Sequence, residues 1–256
     1  MSELARHATI LAALGRDGRV GVAELAETLG VSAETIRRDL VALDAAGQLR
    51  RVHGGAVQFR PDEEQPLMVR SRIRPREKAQ LAAVARGLVR DGMSIFIDTG
   101  STPLAFARTL ADARDLTLVT NSLDIARLLA AAPGVRVKVT PGWVRANDYA
   151  LVGGDTVAFV RRFVFDIAFM GIAACDAQYG WMDYADEESE LRRTVIEQTR
   201  RAVLLVDDGK FGRHASIRTF DLTTPLTVVT NRPVPPPFAE TFERAGVEVR
   251  HRLRGG

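Results

Sequence analysis

The stretch Val31-Ser32-Ala33-Glu34-Thr35-Ile36-Arg37-Arg38-Asp39-Leu40 decides how the first part of the chain is read. Gly30-Val31-Ser32 has the composition of a tight turn, and Ser32 is placed to cap a helix, its hydroxyl accepting an orphaned N–H of the first turn. Glu34 stands near the positive end of the helix dipole. Ile36, Leu40 and Leu43 recur at i, i+4 and i+7, one buried stripe. Ser32, Thr35, Arg37 and Arg38 are left on or beside the outer face. Small hydroxyls followed by two adjacent arginines suit a helix that enters a DNA major groove, where hydroxyls reach phosphates or base edges and guanidinium forks bind guanine or phosphate. A solvated, charged surface helix has the same pattern. The helix alone leaves the two level.

The flanking residues tip the balance. Residues 3–15 predict a helix with Leu4, Ile10, Leu11 and Leu14 apolar, ended by Gly15 and the Asp17-Gly18 turn. Arg19 to Val22 reads as a short extended piece, and Ala23 to Leu29 as a helix burying Leu25, Ala26 and Leu29, stopped by Gly30. The third helix runs from Ala33 to about Ala46 and ends at Gly47. Gln48 to Val57 holds two short extended segments around Gly54-Gly55, the pattern of a β-hairpin. Arg50, Arg51 and His53 on that hairpin would meet the DNA backbone or the minor groove. A basic hairpin directly after a basic helix favours DNA.

Glu24-Leu25-Ala26, Leu29-Gly30-Val31-Ser32, Thr35-Ile36-Arg37-Arg38-Asp39-Leu40 and Leu49-x-Arg51-Val52-His53-Gly54-Gly55-Ala56 closely resemble the DNA-binding signature of the DeoR family of bacterial transcriptional repressors, over about residues 5–57. The resemblance implies a winged helix-turn-helix domain over residues 1–58, with the motif proper at about Val20 to Asp39 and Thr35 to Leu40 on the reading helix. Asp39 would repel phosphate and is read as an internal partner of a neighbouring arginine.

The 256 residues, 46% hydrophobic and 26% charged, fit a small domain plus a medium one and exclude a disordered chain. A net charge of +3 permits a nucleic-acid partner without demanding one. Cys175 is the only cysteine, so neither a disulfide framework nor a thiolate metal cluster is available, and no metal or cofactor is expected. The amino terminus lacks the basic-then-apolar order of a signal peptide, and no apolar run approaches the ~20 residues of a membrane span. A cytoplasmic protein with no membrane partner is expected. Residues 59–75, with Pro61, Pro66, Pro75 and the acidic Asp62-Glu63-Glu64, read as a linker in which proline interrupts any helix. Arg70, Arg72, Arg74, Arg76 and Lys78 would line one side of an extended chain, either against phosphates or paired with the following domain.

Residues 76–256 predict an α/β domain. Helices at 78–90, 102–111 and 122–132 alternate with apolar runs at 94–97, 116–120, 135–140, 167–170, 202–206 and 226–229. Such runs are strands buried on both faces, giving a mostly parallel, Rossmann-like sheet between helices. Val247 to Arg252 alternates, as an edge strand would. Ligands of these folds bind outside the carboxyl ends of the strands. There lie Asp98-Thr99-Gly100-Ser101-Thr102, Thr120-Asn121-Ser122, Pro141-Gly142 and Asp207-Asp208-Gly209-Lys210. Glycine and hydroxyls at helix starts make anion sites, and Lys210 adds a point charge, so a small phosphorylated ligand is expected. No G-x-G-x-x-G follows a strand and no Walker motif occurs.

Asp98-x-Gly100-Ser101-Thr102, Thr120-Asn121-Ser122, Asp166 with Gly171, and Asp207-x-x-Lys210-Phe211-Gly212 resemble the sensor half of the same family, which is similar to ribose-5-phosphate isomerase, over about residues 76–253. The resemblance implies a sugar-phosphate effector, its phosphate at Gly100, Ser101 and Thr102 and its polyol near Asp98, Asn121 and Lys210, with Ser122 beside them. Family members often carry serine where Gly209 stands. The expectation is a repressor of a carbohydrate-metabolism operon, acting on operator DNA as a homo-oligomer. The alternative is a sugar-phosphate isomerase-like enzyme with an accessory DNA-binding head, for which Asp98, Asp166, Asp176 or Asp207 offers a carboxylate. Asp183, Glu188 and Glu190 are read as a structural helix start, with Asp183 within reach of the ligand.

Overall fold

Ser2 opens the first helix, its Oγ accepting the N–H of Ala5 at 3.3 Å. This helix, α1 (Glu3–Asp17), runs through Gly15 and stops at Gly18, whose φ of 71° lets its N–H return to the Leu14 carbonyl. The helix thus runs two residues past the expected Gly15 and stops at the expected Asp17-Gly18 turn. A glycine ends a helix where the backbone turns left-handed, and Gly18 does so. Leu4 is 84% exposed and lies off the core stripe. The computed structural model describes residues 2–45, 48–57, 64–224 and 227–251, in two units, Met1–Arg72 and Ile73–Gly256.

In the first unit, β1 (Arg19–Gly21) is followed by α2 (Val22–Leu29), stopped by left-handed Gly30, and α3 (Ala33–Ala45). The expected end of this helix at Ala46-Gly47 lies outside the described residues. β2 (Arg50–Val52) and β3 (Gly55–Val57) flank the His53-Gly54 turn, and β1 joins the far side of β3 as a third antiparallel strand. A side chain at Gly55 would put its Cβ 2.0 Å from the Val20 carbonyl oxygen, so only glycine lets β1 and β3 close. Ile10, Leu14, Leu25, Ile36, Leu40, Leu43 and Leu49 form the core of this unit.

α4 (Leu67–Arg72) occupies part of the stretch expected to be a helix-free linker. Pro66 starts this helix instead of interrupting it, its carbonyl accepting the N–H groups of Val69 and Arg70. Residues 58–63 lie outside the described residues. The alternating basic row is corrected too, because Arg70 and Arg72 lie on α4 while Arg76 and Lys78 lie on α5 (Pro75–Arg86). The Lys78 side chain is buried, its Nζ donating to the Ile73 carbonyl at 2.8 Å.

The second unit continues with β4 (Ser94–Ile97), α6 (Ser101–Ala107, extended by a 3-10 turn to Leu110), β5 (Leu116–Thr120), α7 (Leu123–Leu129) and β6 (Val135–Val139). The hairpin β7 (Trp143–Arg145) and β8 (Ala150–Val152) leads to α8 (Gly154–Val160), β9 (Ile167–Met170), β10 (Ala174–Asp176), β11 (Gly180–Asp183) and α9 (Asp186–Glu197). β12 (Ala202–Leu205), β13 (Ile217–Phe220), β14 (Thr227–Thr230), α10 (Pro236–Ala245) and β15 (Glu248–His251) complete it. Seven strands form one wholly parallel sheet in the order β15-β14-β12-β9-β4-β5-β6.

Alternate strand residues feed two cores. Ile95, Ile97, Leu116, Leu118 and Phe169 pack with α5, α6 and α7, whereas Phe96, Val119, Met170 and Leu204 pack with α8, α9 and α10. Helices cover both faces, which is why the central strands are continuously apolar. β15 is an edge strand, as its alternation predicts, and β6 is the other edge. The order reverses at β4, whose neighbours are β5 on one side and β9 on the other, and a crevice opens at such a point beyond the strand carboxyl ends. No helix of the described residues is long and apolar enough to cross a membrane.

Candidate DNA-reading surface and effector site

Ser32 caps α3, its Oγ accepting the N–H of Thr35 at 3.1 Å and lying 2.9 Å from the Thr35 hydroxyl. Ile36, Leu40 and Leu43 are buried, which turns Arg37 and Arg38 outward. Arg37 pairs with Glu34 at 3.1 Å, both side chains well exposed, so the pair is weak and easily exchanged for a phosphate. Arg38 is exposed and has no ion pair or hydrogen bond among the described residues. Arg50, Arg51 and His53 are exposed on β2 and its turn, and the backbone N–H of Arg51 donates to Asp44.

Asp39 points inward. Arg6 grips it through Nε at 2.6 Å and Nη2 at 2.8 Å, and His7 Nε2 lies 3.1 Å away. The hydrogen bond from Arg6 holds its carboxyl below the ordinary value. The expected arginine partner is thus Arg6, on a different helix.

At the carboxyl end of β4, Asp98 is buried, its Oδ1 accepting the Thr99 N–H at 2.8 Å. Asn121, after β5, accepts the same N–H through Oδ1 at 3.0 Å, which ties the two loops together. Gly100, with φ 133°, precedes Ser101 and Thr102 in the first turn of α6, where N–H groups have no helical acceptor. Gly171, after β9, lies against this loop, where a Cβ would sit 3.3 Å from Pro103. Ser122 caps α7, its Oγ accepting from the Ile125 N–H at 3.3 Å, so its hydroxyl is already engaged. Lys210 ends a 3-10 turn beyond β12. Two strand spacings, about 9.6 Å, separate β12 from β4.

Several residues of this region have no signal in the sequence pattern. Arg192 of α9 donates through Nε to Asp98 Oδ2 at 2.7 Å and pairs through Nη1 with Asp183, which also accepts from Thr219 and from the Ala173 N–H. Glu188 lies 3.7 Å from Arg192 and receives Arg145 Nη2 at 2.5 Å; Arg145 also holds Asp148. A chain of buried and half-buried charges therefore runs from the hairpin β7–β8 to Asp98. Burial pushes the Asp98 carboxyl up to about 6, against the attraction of Arg192. Asp183 rises for the same reason. Asp183 lies on β11, not at the helix start where it was expected, and Glu190 is exposed.

Other candidate carboxylates are spoken for. Asp166 accepts the Ser94 N–H at the amino end of β4, the wrong end of the sheet for the ligand. Asp176 closes a turn with the N–H groups of Gln178 and Tyr179. Cys175 is fully buried and burial raises its thiol, leaving it unreactive.

The model of the DeoR-like helix-turn-helix domain matches residues 6–61, and that of the DeoR C-terminal sensor domain matches residues 73–232. The chain belongs to the DeoR family. Its DeoR relatives include the glycerol-3-phosphate regulon repressor of Escherichia coli (strain K12), 32% identical over 92% of this chain and 93% of that one. The corresponding Haemophilus influenzae repressor is 34% identical over 87% of each chain. A putative aga operon transcriptional repressor of Escherichia coli O157:H7 is 28% identical over 95% of this chain and 92% of that one. DeoR proteins of this kind are DNA-binding transcriptional regulators and not enzymes. Among solved structures, ribose 5-phosphate isomerase A of Methanocaldococcus jannaschii is 21% identical with a TM-score of 0.37, over 52% of this chain and 53% of that one.

Proposed function

We propose that this DeoR regulator represses a carbohydrate-metabolism operon and that a phosphorylated sugar sets its affinity for operator DNA. The observation that carries the reading is the union of a basic, outward-facing reading helix with a sensor whose polar loops meet at the β4 reversal point. The glycerol-3-phosphate regulon repressors among its relatives, named for a phosphorylated carbon compound, support the same class of effector. Ser32, Thr35, Arg37 and Arg38 contact the major groove, and Arg50, Arg51 and His53 the flanking backbone or minor groove. The effector phosphate sits at Gly100, Ser101 and Thr102, with Asp98, Asn121, Ser122 and Lys210 around the polyol. The regulator acts as a homo-oligomer, because paired heads read a repeated site.

The test is a titration of the protein into labelled duplex from its own upstream region, at several salt concentrations, with and without glycerol 3-phosphate, fructose 1-phosphate, fructose 6-phosphate and ribose 5-phosphate. Site-selective binding with a steep salt slope, changed by one of these compounds, is the expected result. Binding equal for every sequence would overturn the operator assignment. Selective binding that no sugar phosphate alters would overturn the effector assignment. Sedimentation of the protein alone and on duplex gives the number of heads per site.

A further inference from the structure

Arg74 is the second residue beyond the boundary between the two units, and its backbone is left-handed, with φ 53° and ψ 47°. That conformation is unfavourable for a long side chain and persists only where surrounding contacts hold it. The contacts are on the far side of the sequence. Arg74 Nη2 donates to Asp208 Oδ1, 134 residues away, and Nε lies 3.0 Å from Asp207 Oδ1. Asp208 is held in turn by Asn231, which donates to its carboxylate at 2.6 Å and accepts its N–H at 2.8 Å. The Nε contact lacks hydrogen-bond alignment, so one arm of the clasp is loose.

The two carboxylates belong to the turn that ends in Lys210, and the Lys210 N–H donates to the Asp207 carbonyl within it. The guanidinium also lies over Gly209. A Cβ there would stand 3.0 Å from Asp207 Oδ1 and 3.4 Å from Arg74 Cζ. This chain has glycine where the family it resembles often has serine, and Arg74 uses the space.

We propose that the Arg74 clasp couples effector binding to the chain segment that leads to the winged helix. The proposal rests on the reading that the Lys210 turn meets the effector. The polyol of a ligand brought to that turn competes for the hydrogen bonds of Lys210 and of the Asp207 and Asp208 carboxylates. It re-sets the two carboxylates that hold Arg74, without touching the guanidinium, and loosens the contact that keeps the left-handed residue in place. Release of that residue changes the direction in which the chain continues through Ile73. The ligand shifts the balance only by binding the two arrangements with different affinity.

The experiment uses the full chain as wild type, Arg74→Ala, Arg74→Lys and Gly209→Ser. Titration calorimetry with the four sugar phosphates gives ligand affinity, and anisotropy on the upstream duplex gives operator affinity with and without ligand. Arg74→Ala is expected to bind ligand within about threefold of wild type, while the ligand-induced change in operator affinity shrinks from about tenfold to under about twofold. Gly209→Ser shows the same loss by crowding the guanidinium, and serves where Arg74→Ala does not fold. Arg74→Lys, which keeps charge without the fork, is intermediate. An unchanged ligand-induced ratio in Arg74→Ala and Gly209→Ser would overturn the proposal. So would loss of ligand binding in both, which would make Arg74 part of the ligand cradle. If wild type and Lys210→Ala bind ligand equally, the reading of the Lys210 turn fails first and removes the basis of the clasp.

Discussion

Asp98 and Asp39 are both buried carboxylates facing an arginine, yet their charges are held in opposite ways. Around Asp98 burial outweighs Arg192, so the folded state binds its proton more tightly than an unfolded chain does. Its contribution to stability is complete below the ordinary 3.8 and is lost as pH rises to about 6. Asp183 has the same sign. Asp39, lowered by Arg6, contributes above the ordinary carboxylate value and is lost as pH falls below it. Thermal melts across this range are expected to show Asp98→Asn raising sensor stability at neutral relative to acid pH, and Asp39→Asn flattening the acid loss of the head. Identical pH profiles for Asp98→Asn and wild type would refute the assignment. At the reading surface, Arg38→Ala is expected to weaken operator binding by at least about tenfold and leave ligand affinity unchanged, because one guanidinium contact is worth about 1–3 kcal/mol. Calorimetry and anisotropy on the same preparation check both halves.

At the scale of elements, Gly55→Ala tests the winged sheet. With a Cβ 2.0 Å from the Val20 carbonyl, the β1–β3 pairing must open, lowering head stability by about 1–3 kcal/mol in denaturant titration. Gly54→Ala, at a turn with φ 80°, strains the backbone without that collision and gives a comparison. These elements also show what a sequence discloses. α2, α3 and the hairpin follow from short-range signals: an i, i+4 stripe, a capping serine, a glycine pair. The parallel strands β4, β5, β9 and β12 follow from apolar runs bounded by helices. β7, β8, β10 and β11, each of three or four residues, are too short to carry a period. Arg192 reaches Asp98 over 94 residues and Arg74 reaches Asp208 over 134, and no local pattern encodes such pairings. Pro66 misled because proline is compatible with the start of a helix as well as its interruption.

On the scale of the whole molecule, the two units have separate cores, a small one around Ile36 and two larger ones on either face of the seven-stranded sheet. Two unfolding transitions are therefore expected in calorimetry, and a sugar phosphate that binds the sensor raises only the sensor transition. A single transition shifted as a whole would contradict that independence. Phe96 of β4 lies between β5, about 23 residues on, and β9, about 72 residues on. The central strand thus stays open on one edge until β9 has been made, long after β5. The head, built from neighbours in sequence, has no such wait. On a ribosome the winged helix is therefore complete while its sensor is still a bare half-sheet.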